Sequence, residues 1–272
     1  MYTSTFAGRN IKVVSRYTND AKGDPNGGKD LSFNSVSLNA NMAALDNMSL
    51  DATTGNINIS GWHAADNSLG KKYHYIIIFD GSKQTELGRY LVNSVTRNDV
   101  ARAFPGLYNA ANSGFSLKLK FSSALAGDQI QVISRYTDDP AGNGNAVDYW
   151  FAPKTFNQNR AYLENFKVSG NQVHISGWHA SDQSVGKKYH YIIVFDKSKG
   201  KEITRYRVEN KARTDITRAY SNIYNAGQSG FDINVPLTAG MVGDQIQVIS
   251  RYTDDPAGNG NVVDYWFAPI TI

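Results

Sequence analysis

Asp138, Asp139, Asn143, Asn145 and Asp148 offer hard oxygen ligands within SRYTDDPAGNGNAVDYWFAP, the segment from Ser134 to Pro153. The segment returns as SRYTDDPAGNGNVVDYWFAP from Ser250 to Pro269, with Asp254, Asp255, Asn259, Asn261 and Asp264 at the equivalent positions. Calcium takes six to eight oxygens, and such a mixture of carboxylates, amides and backbone carbonyls suits it. The spacing does not follow the Asp-x-Asp-x-Asp-Gly loop, however. A turn accounts for the same residues: Pro140 sets its start, the glycines permit positive φ, and Asp or Asn side chains bond their own backbone. A structural turn, part of a ligand site, and a calcium site therefore all stay open. A looser copy, SRYTNDAKGDPNGGKDLSF from Ser15 to Phe33, lacks the Tyr-Trp pair. Tyr149 and Trp150 accordingly read as an added feature more than as obligatory core.

The second constellation is GWHA. On a strand Trp62 and His63 point to opposite faces, so one is expected to enter the core and the other to meet solvent. His74 lies between Tyr73 and Tyr75 and faces away from both. His63 and His74 would meet across neighbouring strands, with Asp66 or Asp80 nearby, and two histidines with one carboxylate can hold a metal. Against a metal stand the lack of HExxH, of any cysteine, and of a third histidine in this unit. His174 is matched by Asn58 and reads as an ordinary surface residue.

Aromatic rings stack on sugar rings while Asp, Asn, His and Arg bond the hydroxyls, so a carbohydrate suits these residue types best. The expected site gathers Trp62, His63, His74, Arg135, Asp138, Asp139, Asn143 and Trp150. Its second copy gathers Trp178, His179, His190, Arg251, Asp254, Asp255, Asn259 and Trp266. The plainer alternatives are core packing for each tryptophan and an ion pair from Arg135 to Asp138 or Asp148.

Catalytic motifs are missing: there is no cysteine nucleophile, no Gly-x-Ser-x-Gly and no phosphate-cradling glycine loop. A glycosidase's paired carboxylates leave no sequence signature, so a wall-glycan hydrolase stays as an alternative. Duplication decides the class. Two weak binding sites in tandem gain avidity, about 10² to 10⁴ over one when both engage, whereas a duplicated active site gains little. The reading is a non-enzymatic binding protein, with no cofactor beyond the calcium option.

The elements that position these residues follow from the repeat. A shift of 116 residues turns ISGWHAADNSLGKKYHYIIIFD (59 to 80) into ISGWHASDQSVGKKYHYIIVFD (175 to 196). A unit that long can be a whole domain. The expected division is a partial repeat over 1–34, one module over 35–153 and a second over 154–272. Within each unit apolar residues alternate along segments such as NINISGWHA and DQIQVISRY, separated by turn-prone DNSLG, NAANSG and DDPAGNG. The fold predicted is all-β: tandem antiparallel β-sandwiches, immunoglobulin-like or jelly-roll-like, each with one short helix. The helix falls where Val100, Ala103, Phe104 and Leu107, and again Ile216, Ala219, Tyr220 and Ile223, recur at helical spacing. Asn98 and Thr214 are expected to cap it, and Pro105 to stop the first copy earlier than Ser221 stops the second. The opening fragment is expected to pack as extra strands on the first module, with the remnant of a longer array as the alternative.

At 272 residues with no cysteine, the chain has no disulfide framework and no thiolate metal site. Its net charge of +4 permits attraction to anionic polymers, yet the basic residues form no cluster that would track a nucleic acid. No apolar run is long enough to span a membrane. The opening MYTSTFAGRN has neither the basic start nor the apolar core of a signal peptide.

Together, SGWHAAD, GKKYHYIIIFD, the R-x-D-V/I-x-R-A-F/Y segment, NAANSGF and SRYTDDPAGNGNAVDYWFAP resemble a repeat of extracellular proteins from lactobacilli and related lactic-acid bacteria. The resemblance covers nearly all of residues 35 to 272. In that group the units look like C-terminal attachments of peptidoglycan hydrolases and other surface proteins. It implies an extracellular, cell-wall-associated module pair that anchors a protein to envelope glycan or a wall-attached anionic polymer. It carries no assigned binding residues. Adhesion to host glycan or protein, or a structural spacer, are the competing uses.

Overall fold

A computed structural model describes residues 6–24, 26 and 28–272. Four short strands open it: β1 (Asn10–Ile11), β2 (Val14–Tyr17), β3 (Lys29–Ser32) and β4 (Val36–Ser37). The first full repeat follows with β5 (Asn41–Asp51), β6 (Asn56–Ala65), β7 (Tyr73–Asp80), β8 (Thr85–Leu91), helix α1 (Asn98–Ala103), β9 (Gly114–Lys120), β10 (Gln129–Thr137), β11 (Ala146–Trp150) and β12 (Lys154–Thr155). The second runs through β13 (Asn159–Ser169), β14 (Gln172–Ser181), β15 (Tyr189–Asp196), β16 (Lys201–Val208), α2 (Thr214–Ala219), β17 (Gly230–Pro236), β18 (Gln245–Thr253), β19 (Val263–Trp266) and β20 (Ile270–Thr271). Among the described residues no helix is long and apolar enough to cross a membrane.

Each repeat is a sandwich of antiparallel sheets. In the first, β5-β6-β9 faces β11-β10-β7-β8, with β12 pairing the start of β10; the second repeats this order. The chain leaves β8, crosses through the helix and returns to pair β6. This Greek-key return gives the immunoglobulin-like form of the two sandwiches predicted. Alternation does the sorting: Ile76, Ile78, Ile130 and Val132 point inward with Ile57, Ile59 and Phe115 from the opposite sheet. Gly61 sits where β5 bulges between Leu45 and Asn47. A Cβ there would lie 2.4 Å from the carbonyl oxygen of Ala44, so only glycine lets the two strands close.

The helices correct two sequence expectations. The N-caps are Arg97 and Arg213, without side-chain capping bonds, and Asn98 and Thr214 are already helical. Both helices are six residues long, so Pro105 does not shorten the first. Each ends because Phe104 or Tyr220 leaves the helical region at φ −132° and the chain turns at once.

The opening fragment repeats the strand pairing found at the end of the first full copy. Among the described residues its strands pair with one another, β1 with β4 and β2 with β3, and add to neither sheet of the first repeat, against the expectation that they extend that module. Arg16 opposes Asp30 as Arg135 opposes Asp148, and both pairs form the same two-bond fork. Lys154–Thr155 pairs the sheet of the first repeat, as Val36–Ser37 pairs β1 of the fragment.

The repeats interlock end to end. The turn between β5 and β6 holds the four residues 52–55 in the first repeat, against Gly170 and Asn171 in the second. The longer turn reaches across: the amide of Ala52 donates to the carbonyl of Ser221 at 2.8 Å. Ala52 packs on the Trp178–Ile216–Ile223 cluster, and Val185 of the second repeat joins the core of the first. Gln183 covers Gly127 so closely that a Cβ on the glycine would lie 2.5 Å from its amide nitrogen. Asn67, the counterpart of Gln183, stands in the same way over Gly8, where a Cβ would come within 2.6 Å.

Candidate functional site

The acidic turn binds itself. Asp139 accepts from the amides of Ala141 (2.9 Å) and Asn143 (3.2 Å), while Gly142 takes φ +77° to close the loop. Arg89 donates to the side-chain oxygen of Asn143 at 2.7 Å, and Tyr75 donates its hydroxyl hydrogen to the Pro140 carbonyl at 2.6 Å. In the second repeat Asp255 accepts from Ala257, Asn259 and Gly260, and these backbone bonds hold its carboxyl below the usual range. Asp254 accepts from Asn261 at 2.6 Å, and Asp138 lies 3.7 Å from Lys71. Oxygens that calcium would need are thus spent on the turn. Among the described residues no group of three or more His, Cys, Asp or Glu is placed to hold a metal.

Arg135 pairs Asp148 through two bonds of 2.7 and 2.6 Å, and Arg251 pairs Asp264 at 2.8 and 2.7 Å. Each arginine also donates to the turn, at the carbonyl of Gly142 or Gly258. The fork ties turn to strand, which answers the ion-pair alternative in favour of Asp148. On the same outer face Trp150 is half exposed with Phe79 edge-on at 5.4 Å, and Trp266 stands likewise against Phe195 at 5.6 Å. Arg135, Asp138, Asp139, Asn143 and Trp150 are therefore brought to one face, as are Arg251, Asp254, Asp255, Asn259 and Trp266. Tyr149 faces the other way, into the core against Phe151, and is core after all; Leu31 stands at its position in the opening fragment.

Trp62, His63 and His74 do not join them. Trp62 and His63 take opposite faces of β6 as expected, yet both are buried, because α1 covers the outside of the sheet. Trp62 packs on Phe104 at 5.6 Å and Trp178 on Tyr220 at 5.3 Å. Neither indole offers a stacking face to a sugar. His63 and His74 meet at 6.4 Å between ring centroids, across the two facing sheets and not along neighbouring strands. No carboxylate joins them: Asp66 accepts from the amides of Ala40 and Tyr108, and Asp80 from those of Ser82 and Lys83. His174 is at the surface, paired with Asp232 at 2.9 Å.

What links the histidines is Ser134, which the sequence reading passed over. Asn41 donates its amide hydrogen to the Asp148 carbonyl (3.0 Å), which turns its oxygen to Nε2 of His63 (2.7 Å). That nitrogen must carry the proton. Burial pushes His63 down to about 3, so it is neutral at ordinary pH and its Nδ1 accepts from the Ser134 hydroxyl at 2.9 Å. Ser134 Oγ then accepts from Nε2–H of His74 at 2.7 Å, whose pKa burial and the neighbouring His63 also push down to about 3. Every donor in the series has one direction, and the last atom, Nδ1 of His74, is a buried lone pair with no partner among the described residues. Asn159, His179, Ser250 and His190 repeat the series. There a side chain stands at the end: Oδ1 of Asn210 lies 2.7 Å from Nδ1 of His190.

Asn41, His63 and Ser134 have the spacing of an orienter, a base and a nucleophile. Ser134 and His63 are completely buried, however, and no substrate carbonyl reaches them. The series is a core polar network. Inward alternation of Ser134 among Val132 and Tyr136, repeated at Ser250, is the signal that would have found it.

No protein-family description matches the chain, and no curated protein does. Among solved structures, the tetra-tandem repeat in the extending region of a large adhesion protein is similar over 97% of this chain and 56% of that one, at 16% identity and a TM-score of 0.32. A marsupial T cell receptor is similar over 86% of this chain and 71% of that one, at 9% identity and a TM-score of 0.35. Likenesses this distant add nothing to the fold described above.

Proposed function

We propose that this chain is a stretch of an extracellular surface protein of the lactic-acid-bacterial type, in which non-catalytic sandwich repeats stack at a fixed step and act as a spacer and adhesive stalk. One observation carries the reading. The contact of Gln183 over Gly127 recurs as that of Asn67 over Gly8, so successive units meet by the same junction. Independent domains on flexible linkers would not share one. Residual dipolar couplings measured on the full chain test this: both repeats should fit one alignment tensor. Two unrelated tensors would sink the stalk.

A second reading is favoured by Trp150 and Trp266, half exposed on equivalent faces beside bound arginine and acidic groups. These faces suit weak, paired contacts to envelope glycan, wall-attached polymer, or host glycan or protein. Retention on purified cell walls, compared with Trp150→Ala plus Trp266→Ala, distinguishes that use from a pure spacer.

A further inference from the structure

The opening fragment builds the outer side of a repeat and leaves the inner side bare. Arg16 forks Asp30 and donates to the Gly23 carbonyl at 3.0 Å, as Arg135 does with Asp148 and Gly142. Asp20 accepts from the amides of Lys22 and Asp24, as Asp139 does from those of Ala141 and Asn143. The shared register sets Val13, Ser15, Tyr17, Leu31 and Phe33 at the places of Val132, Ser134, Tyr136, Tyr149 and Phe151. In the complete repeat Val132, Ser134, Tyr136 and Phe151 are buried. In the fragment Val13 is 59% exposed, Tyr17 81%, Leu31 61% and Phe33 50%, and Ser15 is exposed with them. The edge of β2 that corresponds to the β7 side of β10 is free among the described residues. A contiguous apolar face beside a free strand edge is an interaction surface, and the edge is a template for another strand.

We propose that this half-module takes the β5–β9 portion of a further repeat of the same kind. That portion adds a strand of the β7 type to the free edge and lays a sheet of the β5-β6-β9 type over the inner face. Three observations select this occupant over any other apolar strand. Ser15 stands where Ser134 serves His63 and His74, and Tyr17 where Tyr136 donates to the His63 carbonyl. The fragment keeps both polar groups among apolar neighbours although it has no histidine of its own, and the GWH and KYH segments of the repeat carry what they bind. The contact is also one the molecule already makes twice, β10 with β7 and β18 with β15, over eight residue pairs each. Finally, Asn67 covers Gly8 as Gln183 covers Gly127, so the fragment meets the first repeat as a complete unit meets its neighbour. Only this last point rests on the junction that carries the stalk reading.

The test uses the full chain, ¹⁵N-labelled, with an unlabelled polypeptide of residues 40–126 of the same sequence as the probe. Probe binding should slow amide exchange at Val13, Ser15 and Tyr17 about a hundredfold or more and leave the second repeat unmoved. Ser15→Ala should weaken capture about tenfold or more, because the two incoming imidazoles then lose their shared hydroxyl. Should the probe not stay soluble by itself, residues 40–126 are joined ahead of Gly8 in place of residues 1–7. The same exchange rates, and the loss of stability of the added unit in Ser15→Ala, then decide. Unslowed exchange at Val13 and Tyr17 in the joined chain overturns the proposal, and capture unaffected by Ser15→Ala overturns the choice of occupant. A face already protected without the probe, in a chain that light scattering finds dimeric, assigns it to a second copy and overturns the proposal as well. The alignment tensors of the two complete repeats are read independently of all this, so the stalk and the half-module fail separately.

Discussion

Oγ of Ser134 lies 2.9 Å from Nδ1 of His63, across two sheets whose strands are not hydrogen-bonded to one another. The hydroxyl is one polar tie between the halves of the sandwich, beside the Tyr136 hydroxyl that donates to the His63 carbonyl at 2.8 Å, and it serves two imidazoles at once. Ser134→Ala leaves both ring nitrogens buried without a partner. The expected loss is about 2–4 kcal/mol, measured by urea unfolding, with Ser250→Ala matching it in the second repeat. A loss below about 0.5 kcal/mol would mean the network contributes nothing to stability.

Acid should unfold the protein from the histidine range, before its carboxylates are neutralised. His63 and His74 are held near 3 by burial and His190 near 4, against an ordinary value of 6.5. A folded pKa below the unfolded one means that the unfolded chain takes up protons first as pH falls. Stability is therefore full above pH 6.5 and declines from there towards the folded values, by about 1.4 kcal/mol per pH unit for each imidazole. Urea midpoints that stay level between about pH 7.5 and 5 would contradict neutral, buried rings.

The arginine forks predict a sharp contrast between conservative changes. Arg135→Lys removes the second bond to Asp148 and the tie to Gly142, for a loss of about 1–2 kcal/mol. Amide exchange in the turn 138–145 should accelerate with it. Unchanged exchange would show that the turn holds without the fork.

Trp150→Ala and Trp266→Ala remove side chains that are half exposed. Their stability cost should stay under about 1 kcal/mol, while retention on a glycan or wall surface falls steeply if those faces bind it. Trp62→Ala does the reverse, costing about 3–5 kcal/mol through the cavity left under α1. A wall-binding loss in Trp62→Ala alone therefore reports unfolding, not a contact.

Shortening the β5–β6 turn to match its two-residue counterpart tests the junction. Deleting Thr53 and Thr54 should leave each sandwich folded while the two repeats lose their common orientation, as read by small-angle scattering. An unchanged scattering profile would place the coupling elsewhere, at Val185 or Gln183.

The sandwich was legible because period-two alternation and near-verbatim repetition both speak about single strands and their copies. The network was not, because His63 and His74 come together across opposed sheets and no spacing along the chain encodes that distance. Trp62 misled for a related reason. Alternation places it on an outer face, but only the helix packed there decides that this face is dry. The turn misled in the opposite sense: its carboxylates look available in sequence, and the backbone amides two to five residues on consume them.

The junction seen at Gly127 and again at Gly8 has a geometric consequence. One rigid rotation and translation, applied repeatedly, is a screw operation, and its iteration traces a helix whose pitch the junction sets. The half-exposed tryptophans of successive units would then lie on a helical line and not along one side. A partner engaging several at once must wrap around the shaft, or meet only every few units at the pitch's own spacing. Altering the side chains of the junction would retune that spacing throughout an array without touching a half-exposed tryptophan.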